Sequence, residues 1–74
     1  MIGKTLLMAM LFDIYGELLT EKQKRFFELY HHRDLSLGEI AEGQGISRQA
    51  VYDILKRSEK ALRDFEDRLH LLQR

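Results

Sequence analysis

Residues 36–57 read SLGEIAEGQGISRQAVYDILKR, and this stretch decides the fold because it contains two helix starts separated by a glycine-containing turn. Ser36 and Ser47 are both candidate N-cap residues, and Glu39 completes a Ser-x-x-Glu capping box for the first helix. Gly45 lies between the helices, where a turn commonly needs a positive φ that glycine adopts without steric strain. The spacing predicts a helix-turn-helix over residues 36–57.

The small and apolar residues of this stretch predict how its two helices pack. Ala41 is small enough for the second helix to cross closely, and Val51 is expected to face back onto it. Ile46 is expected to fill the junction between the helices. Gln44 departs from this pattern, because the position before the turn glycine is usually apolar in such units. We expect one core contact to be missing or replaced there.

The opposite face of the second helix carries polar and basic side chains that suit a DNA major groove. In DNA-binding helix-turn-helix proteins, the N-terminal residues of this helix contact base edges, with arginine pairing to guanine and glutamine to adenine. Between Ser47 and Arg63, five basic residues stand against two acidic ones, although the whole chain has 12 of each and no net charge. We therefore predict a DNA-binding surface formed by Ser47, Arg48, Gln49, Tyr52, Lys56 and Arg57.

The rest of the 74-residue chain is predicted to be helical as well, since it contains no proline and is rich in strong helix formers. Start and stop signals place a first helix at about residues 4–15 and a second from the Thr20 capping box to about His32. This second helix is expected to turn four side chains toward the core: Phe26, Phe27, Leu29 and Tyr30. A long C-terminal helix is predicted at about residues 47–73. The fold class is therefore an all-α helical bundle forming one helix-turn-helix domain over residues 1–74.

Six residues of the C-terminal helix, apolar except for Ser58, recur from Leu55 to Leu72 at alternating spacings of three and four, which is the heptad pattern of a coiled coil. A domain of this size buries only about 60% of its unfolded surface, so a partner chain would add stability. We predict a homodimer with an interface formed by Leu62, Phe65, Leu69 and Leu72. The alternative is that the segment from Leu62 to Leu72 folds back onto the first helix.

Several other functional classes find little support in the sequence. The apolar run at residues 6–12 is interrupted by Asp13 and is shorter than the roughly 18 residues that a membrane span requires. We therefore expect a cytoplasmic protein without membrane insertion. His31 and His32 point about 100° apart on a helix and are not expected to ligate one metal ion. No nucleophile–base spacing or phosphate-binding loop is visible, so neither enzymatic activity nor a cofactor is expected.

Two motifs together carry a resemblance to a known family. LFDIYGELLTEKQ at residues 11–23 and the helix-turn-helix motif at residues 36–57 resemble the YlxM-like family of small bacterial proteins. The fold of that family is similar to the DNA-binding fourth region of sigma-70-type factors, a helix-turn-helix without a wing. The resemblance implies that Ser47, Arg48, Gln49 and Tyr52 are recognition-helix positions. The family is generally encoded beside the gene for the signal recognition particle GTPase, which implies a regulatory or accessory role in that pathway.

The sequence thus predicts a DNA-binding transcriptional regulator that binds double-stranded DNA as a homodimer. Components of the signal recognition particle are further partners that the resemblance implies. Two alternatives stay open: a protein-interaction module that docks the same exposed face on a partner of that pathway, and an RNA-binding module, since the particle contains RNA. Binding to phosphates weakens steeply with added salt, whereas a hydrophobic protein contact does not, so salt dependence separates DNA binding from the protein-interaction alternative.

Overall fold

Four α-helices joined by short turns make up residues 3–73, the part of the chain that the computed structural model describes. No strand occurs among these residues, which confirms the predicted all-α class. The helices are α1 (Lys4–Tyr15), α2 (Glu21–Phe27), α3 (Leu37–Gln44) and α4 (Arg48–Leu69). A 3₁₀ turn at Gly16–Leu18 follows α1, and a π-helical segment at Glu28–His32 continues α2.

Both predicted capping boxes are present and define where α2 and α3 begin. Thr20 Oγ1 accepts a hydrogen bond from the backbone N–H of Gln23 at 3.1 Å, and Gln23 Oε1 accepts from the backbone N–H of Thr20 at 3.2 Å. Ser36 and Glu39 make the same reciprocal pair at 3.1 Å and 2.9 Å. Hydrogen bonding from the backbone of Ser36 lowers the pKa of Glu39 below its usual value. These bonds satisfy N–H groups that a helix start otherwise leaves without partners.

The core consists of two clusters that share α2 and α4. The α1 cluster contains Met8, Leu11, Phe12, Tyr15, Leu19, Phe27 and Leu62. The helix-turn-helix cluster contains Phe26, Ile40, Ala41, Val51 and Leu55. Because Phe26 and Phe27 are neighbours in sequence and enter different clusters, α2 forms the wall between them. The helix-turn-helix is therefore packed directly against the rest of the chain.

The second helix ends at His32, as predicted, but its last turn is a π-helix that the sequence analysis did not predict. A π turn contains more residues than an α turn, so the side chains after it no longer follow the 3.6-residue period. Tyr30 is 38% exposed as a result, which shows that its predicted core position was wrong. Leu29 is partly buried against the helix-turn-helix cluster. The His31 ring stacks on Phe27 with 4.2 Å between ring centroids.

The long α4 helix ends at Leu69 rather than near residue 73. His70 adopts the left-handed conformation, with φ of 50°, and turns the chain away from the helix axis. The Glu66 carboxylate accepts hydrogen bonds from the backbone N–H groups of Leu72 at 3.1 Å and Gln73 at 3.0 Å. These bonds replace those that a continued helix would have made, so the chain after α4 is held close to it.

Most residues of the predicted dimer interface are covered by other parts of the same chain. Leu62 is fully buried in the α1 cluster, and Phe65 and Leu72 pack against that cluster. The segment therefore folds back onto α1, which was the alternative reading of the heptad pattern. Leu69 differs from the other three because it is 51% exposed. The homodimer stays a prediction, and Leu69 is the residue of this set with free surface for a partner.

Candidate nucleic-acid interface

The turn between α3 and α4 has the geometry that its glycine predicts. Gly45 lies in the left-handed region with φ of 69°, and its backbone N–H donates to the carbonyl oxygen of Ala41. The N–H of Ile46 donates to the same carbonyl at 3.1 Å. Ile46 packs on the helix-turn-helix cluster, and Gln44 is only half-buried. The turn therefore fixes the direction in which α4 starts.

The first turn of α4 combines a side-chain cap with free backbone donors. Ser47 Oγ accepts a hydrogen bond from the backbone N–H of Ala50 at 3.0 Å, which confirms Ser47 as the N-cap. The other N–H groups of a first helical turn have no partner within the helix. Together with the positive end of the helix dipole, they favour an anion such as a phosphate oxygen.

All six residues of the predicted DNA-binding surface are exposed, and they lie on α4 or at its cap. The side chain of Arg48 lies beside Gly38 in the first turn of α3, with Nε 3.8 Å from the place a β-carbon on Gly38 would occupy. The Arg48 side chain therefore lies near the N-termini of both helices. The positive charge of Arg48 and the positive ends of the two helix dipoles together attract negative charge more strongly than either helix end alone.

Further along α4, the exposed side chains interact in pairs one helical turn apart. Gln49 Nε2 donates a hydrogen bond to Asp53 Oδ1 at 2.9 Å. Lys56 Nζ lies 5.5 Å from the ring centroid of Tyr52, within the range of a cation–π interaction. These contacts limit the rotamers of the side chains that face outward. The hydrogen bond from Gln49 to Asp53 must break before the Gln49 amide can pair with a base.

The cations of this face are not neutralised by carboxylates of the chain. Within residues 3–73, no ion pair involves Arg48, Lys56 or Arg57. Lys60, one turn further on, pairs instead with Asp64 at 2.9 Å. The three free cations are therefore concentrated in the N-terminal half of α4, where an exposed phosphate could be bound.

A buried polar group lies beside this face and was not predicted from the sequence. Glu59 is only 6% exposed, with Lys4 Nζ 3.2 Å from Oε1 and His31 Nε2 3.5 Å from Oε2. Burial lowers the pKa of His31, and Glu59 partly offsets that effect. A signal was present in the sequence, because Glu59 follows Leu55 by four residues and so belongs to the inward stripe of α4.

Two further features of the described residues are the grouping of metal-ligating side chains and the length and polarity of the helices. Between residues 3 and 73, no three His, Asp or Glu side chains are grouped to hold one metal ion. His31 is directed toward Glu59, whereas the exposed His32 lies edge-on to Phe12 at 5.2 Å between centroids. No helix in this part of the chain is both long and apolar enough to cross a membrane.

The four-helix architecture and the exposed α4 face define a helix-turn-helix protein, and comparison with known proteins gives its family. The chain belongs to the UPF0122 family, described as "Putative helix-turn-helix protein, YlxM / p13 like", whose family model matches residues 2–74. The YlxM-like resemblance is thereby confirmed.

Relatives in several bacteria are similar along most of this chain. It is 56% identical over 72 residues to a UPF0122 protein of Halalkalibacterium halodurans, covering 97% of this chain and 66% of that protein. It is 55% identical over 74 residues to a UPF0122 protein of Bacillus thuringiensis, covering 100% and 67%. A UPF0122 protein of Clostridium kluyveri is 56% identical over 66 residues, covering 89% and 60%. The matched region thus spans between 60% and 67% of these relatives.

Proposed function

We propose that this chain binds double-stranded DNA through the N-terminal half of α4 and acts as a transcriptional regulator. The observation that carries the proposal is the set of free cations on an exposed helix whose start is set by the Gly45 turn. In helix-turn-helix proteins this helix enters the major groove and its N-terminal residues contact base edges. Membership of a helix-turn-helix family supports the same function.

Each exposed residue has a role that its chemistry suits. Arg48 pairs with the O6 and N7 acceptors of guanine, and Gln49 pairs with adenine after its amide leaves its neighbour on α4. The N-terminal N–H groups of α4, around Ser47, bind a phosphate oxygen. Lys56 and Arg57 lie further along the helix and contact the DNA backbone, which adds affinity without sequence preference.

The finer parts of the proposal rest on the family resemblance. It supports a fold related to the fourth region of sigma-70-type factors and a role connected with the signal recognition particle. The proposed cytoplasmic location rests instead on the short apolar run at residues 6–12, which Asp13 interrupts. A homodimer would place two recognition helices about one DNA turn apart on a two-fold symmetric site. In this proposal the dimer contact includes Leu69, since it is 51% exposed at the end of α4.

The test begins by sequencing DNA fragments enriched on the purified protein, followed by fluorescence anisotropy on an enriched duplex and a scrambled duplex. Arg48→Ala should weaken binding to the enriched duplex by about 1–3 kcal/mol and relax the preference at one base position. Lys56→Ala should weaken both duplexes alike and lower the slope of log K against log salt by about one.

Arg68→Ala is the matched control, because Arg68 is exposed on the last turn of α4, roughly 30 Å along the helix from Arg48 at 1.5 Å per residue. It should bind both duplexes like the unmodified protein. The proposal fails if Arg48→Ala and Lys56→Ala also bind like the unmodified protein. Duplex binding that does not weaken as salt is added would contradict the proposed phosphate contacts.

A further inference from the structure

A cavity of about 200 Å³ opens beside the recognition face of α4. Four parts of the chain form its walls: the start of α1, the π-helical segment, the start of α3 and the middle of α4. A cavity of about 150 Å³ holds a benzene molecule, so this one has room for a planar heterocycle. The residues that decide its chemistry are Lys4, Tyr30, His31, Tyr52, Lys56 and Glu59.

The floor of the cavity contains two buried polar groups, Glu59 and His31, that lie 3.5 Å apart as a weak ion pair and whose hydrogen bonding is incomplete. Glu59 is 6% exposed, and the side chain of His31 is also 6% exposed. In the part of the chain described, neither Glu59 Oε1 nor His31 Nε2 has a hydrogen-bond partner. Lys4 makes an ion pair with Oε1, but its side chain is 54% exposed and can turn outward. Buried polar atoms are nearly always hydrogen-bonded, so Glu59 Oε1 and His31 Nε2 each have room for a hydrogen bond that a ligand in the cavity would complete.

The rim of the cavity supplies aromatic rings and positive charge. Tyr30 is 38% exposed and Tyr52 is 44% exposed. Lys56 lies against the Tyr52 ring and carries no ion pair within residues 3–73. Exposed tyrosine rings are surfaces on which unpaired nucleic-acid bases stack, and nearby lysines bind the attached phosphate.

We propose that this cavity binds an unpaired guanine base, presented either by a free guanine nucleotide or by an unpaired position of an RNA strand. The Watson–Crick edge of guanine carries two adjacent N–H donors, which match the two oxygens of the Glu59 carboxylate. Adenine offers a single amino group on that edge, and uracil places carbonyl oxygens that the carboxylate repels. In a duplex this edge of guanine is already paired, so only an unpaired base can enter.

This site extends the protein beyond duplex binding, because the bound base is read by Glu59 rather than by the start of α4. Tyr52 and Lys56 belong to both surfaces. A guanine nucleotide in the cavity therefore competes with duplex DNA for these two side chains. The site itself does not depend on the proposed function, since its floor and most of its walls lie outside the duplex-binding residues.

The experiment follows amide chemical shifts of the ¹⁵N-labelled protein during titration with GMP, AMP, CMP, UMP and inorganic phosphate. We expect GMP to shift the amides of Tyr30, His31 and Glu59 and to bind about tenfold more tightly than the other nucleotides, as expected for hydrogen bonds to a charged group. Equal shifts with all four nucleotides, or with phosphate alone, would overturn the proposal, as would no shift at all. No DNA is present, so failure of duplex binding leaves this result unaffected.

Two variants show whether the floor and the rim act as proposed. Glu59→Gln removes one acceptor oxygen and should lower GMP affinity about tenfold, whereas the exposed control Glu42→Gln should not change it. If Glu59→Gln does not fold, as its amide spectrum will show, Tyr30→Leu tests the same site by removing a stacking ring from the rim. GMP affinity that is unchanged in a folded Glu59→Gln or in Tyr30→Leu contradicts the proposal.

RNA hairpins distinguish the two sources of guanine. One hairpin carries a single unpaired G, a second carries an unpaired A at that position, and a third is fully paired. Preference for the first hairpin assigns the cavity to RNA. Binding of GMP without any preference among the hairpins assigns it to a free nucleotide. Equal binding of all three hairpins together with no preference for GMP rules out a guanine site.

Discussion

Tyr15 and Glu66 lie 51 positions apart in the chain and are joined by a hydrogen bond of 2.6 Å from the tyrosine hydroxyl to Oε1 of the carboxylate. The same hydroxyl accepts a hydrogen bond from the backbone N–H of Leu71 at 3.1 Å. Burial, and then the bond to Glu66, raises the pKa of Tyr15, and the bond lowers the pKa of Glu66. This pair connects the end of α1 to the chain that follows α4.

Replacing the Tyr15 hydroxyl tests how much this connection stabilises the fold. Tyr15→Phe keeps the ring in the α1 cluster but leaves the Leu71 N–H and one Glu66 oxygen with fewer partners. We expect the melting temperature, followed by circular dichroism, to fall by on the order of 5 °C. Tyr30→Phe is the control, because Tyr30 is an exposed tyrosine outside both core clusters. Equal melting temperatures for the two variants would show that the connection adds no stability.

The turn glycine should be sensitive to substitution for a backbone reason alone. A β-carbon on Gly45 would meet no atom within 4 Å, but φ is 69° there, a conformation that a β-branched residue adopts only with strain. Gly45→Val should therefore lower the free energy of unfolding by about 1–2 kcal/mol or more. Urea denaturation measures the change.

Gly43 provides the matched comparison within the same helix-turn-helix. It lies inside α3, is exposed, and would also place a β-carbon in open space. Gly43→Ala should raise the free energy of unfolding by about 0.5–1 kcal/mol, because alanine favours a helix interior. If Gly45→Val proved as stable as Gly43→Ala, the left-handed turn conformation would be incorrect.

Truncating two leucines of the predicted dimer interface should change the free energy of unfolding by different amounts. Leu62 is fully buried, so Leu62→Ala should lower the free energy of unfolding by about 2–5 kcal/mol. Leu69 is 51% exposed, so Leu69→Ala should change it by less than about 0.5 kcal/mol. Chemical denaturation of both variants at low protein concentration checks this contrast.

Sedimentation equilibrium tests the homodimer itself. If Leu69 contributes to a dimer contact, Leu69→Glu should shift the protein toward monomer while leaving its helical content unchanged. Leu18→Glu is a matched control on another exposed leucine, 57% accessible in the turn after α1. A monomeric unmodified protein at a concentration of about 100 μM, well above the Kd of a stable dimer, would reject the predicted homodimer.

Stability should fall on mild acidification because of His31. Burial lowers its pKa below the ordinary value of 6.5, despite the nearby Glu59; the charges of His32 and Lys4 also act to lower it. Below pH 6.5 the unfolded chain therefore binds more protons than the folded chain, and the free energy of unfolding decreases as pH falls. Thermal melts between pH 7.5 and 5.5 measure this slope. His31→Gln should reduce it, whereas His70→Gln, at an exposed position, serves as the control.

The starts of the helices could be predicted from the sequence because each depends on residues within one turn. Thr20, Ser36 and Ser47 all cap the helices that they were expected to cap. Gly45 adopts the predicted positive φ for a similarly local reason. The exposed positions of the predicted DNA-binding surface follow from the same helical period.

Features that depend on distant contacts could not be predicted in the same way. The end of α4 depends on the Glu66 carboxylate, which accepts a hydrogen bond from the backbone beyond the helix. The burial of Glu59 depends on Lys4 and His31, which belong to other helices. Heptad spacing in α4 describes an apolar stripe but does not specify whether α1 or a second chain covers it. The π-helical segment has no comparable local signal, and Tyr30 was misplaced for that reason.

The sharing of α4 between the two core clusters has a mechanical consequence. Val51 lies in the helix-turn-helix cluster and Leu62 in the α1 cluster, and an unbroken helix joins them. From Arg48 to Leu62 this rod is about 21 Å long at 1.5 Å per residue. The helix is continuous along that length, so the two clusters hold the end that carries Arg48 and the end that packs on α1 in one element. The packing of Leu62 on α1 therefore helps to set the direction of the exposed face of α4 that begins at Arg48.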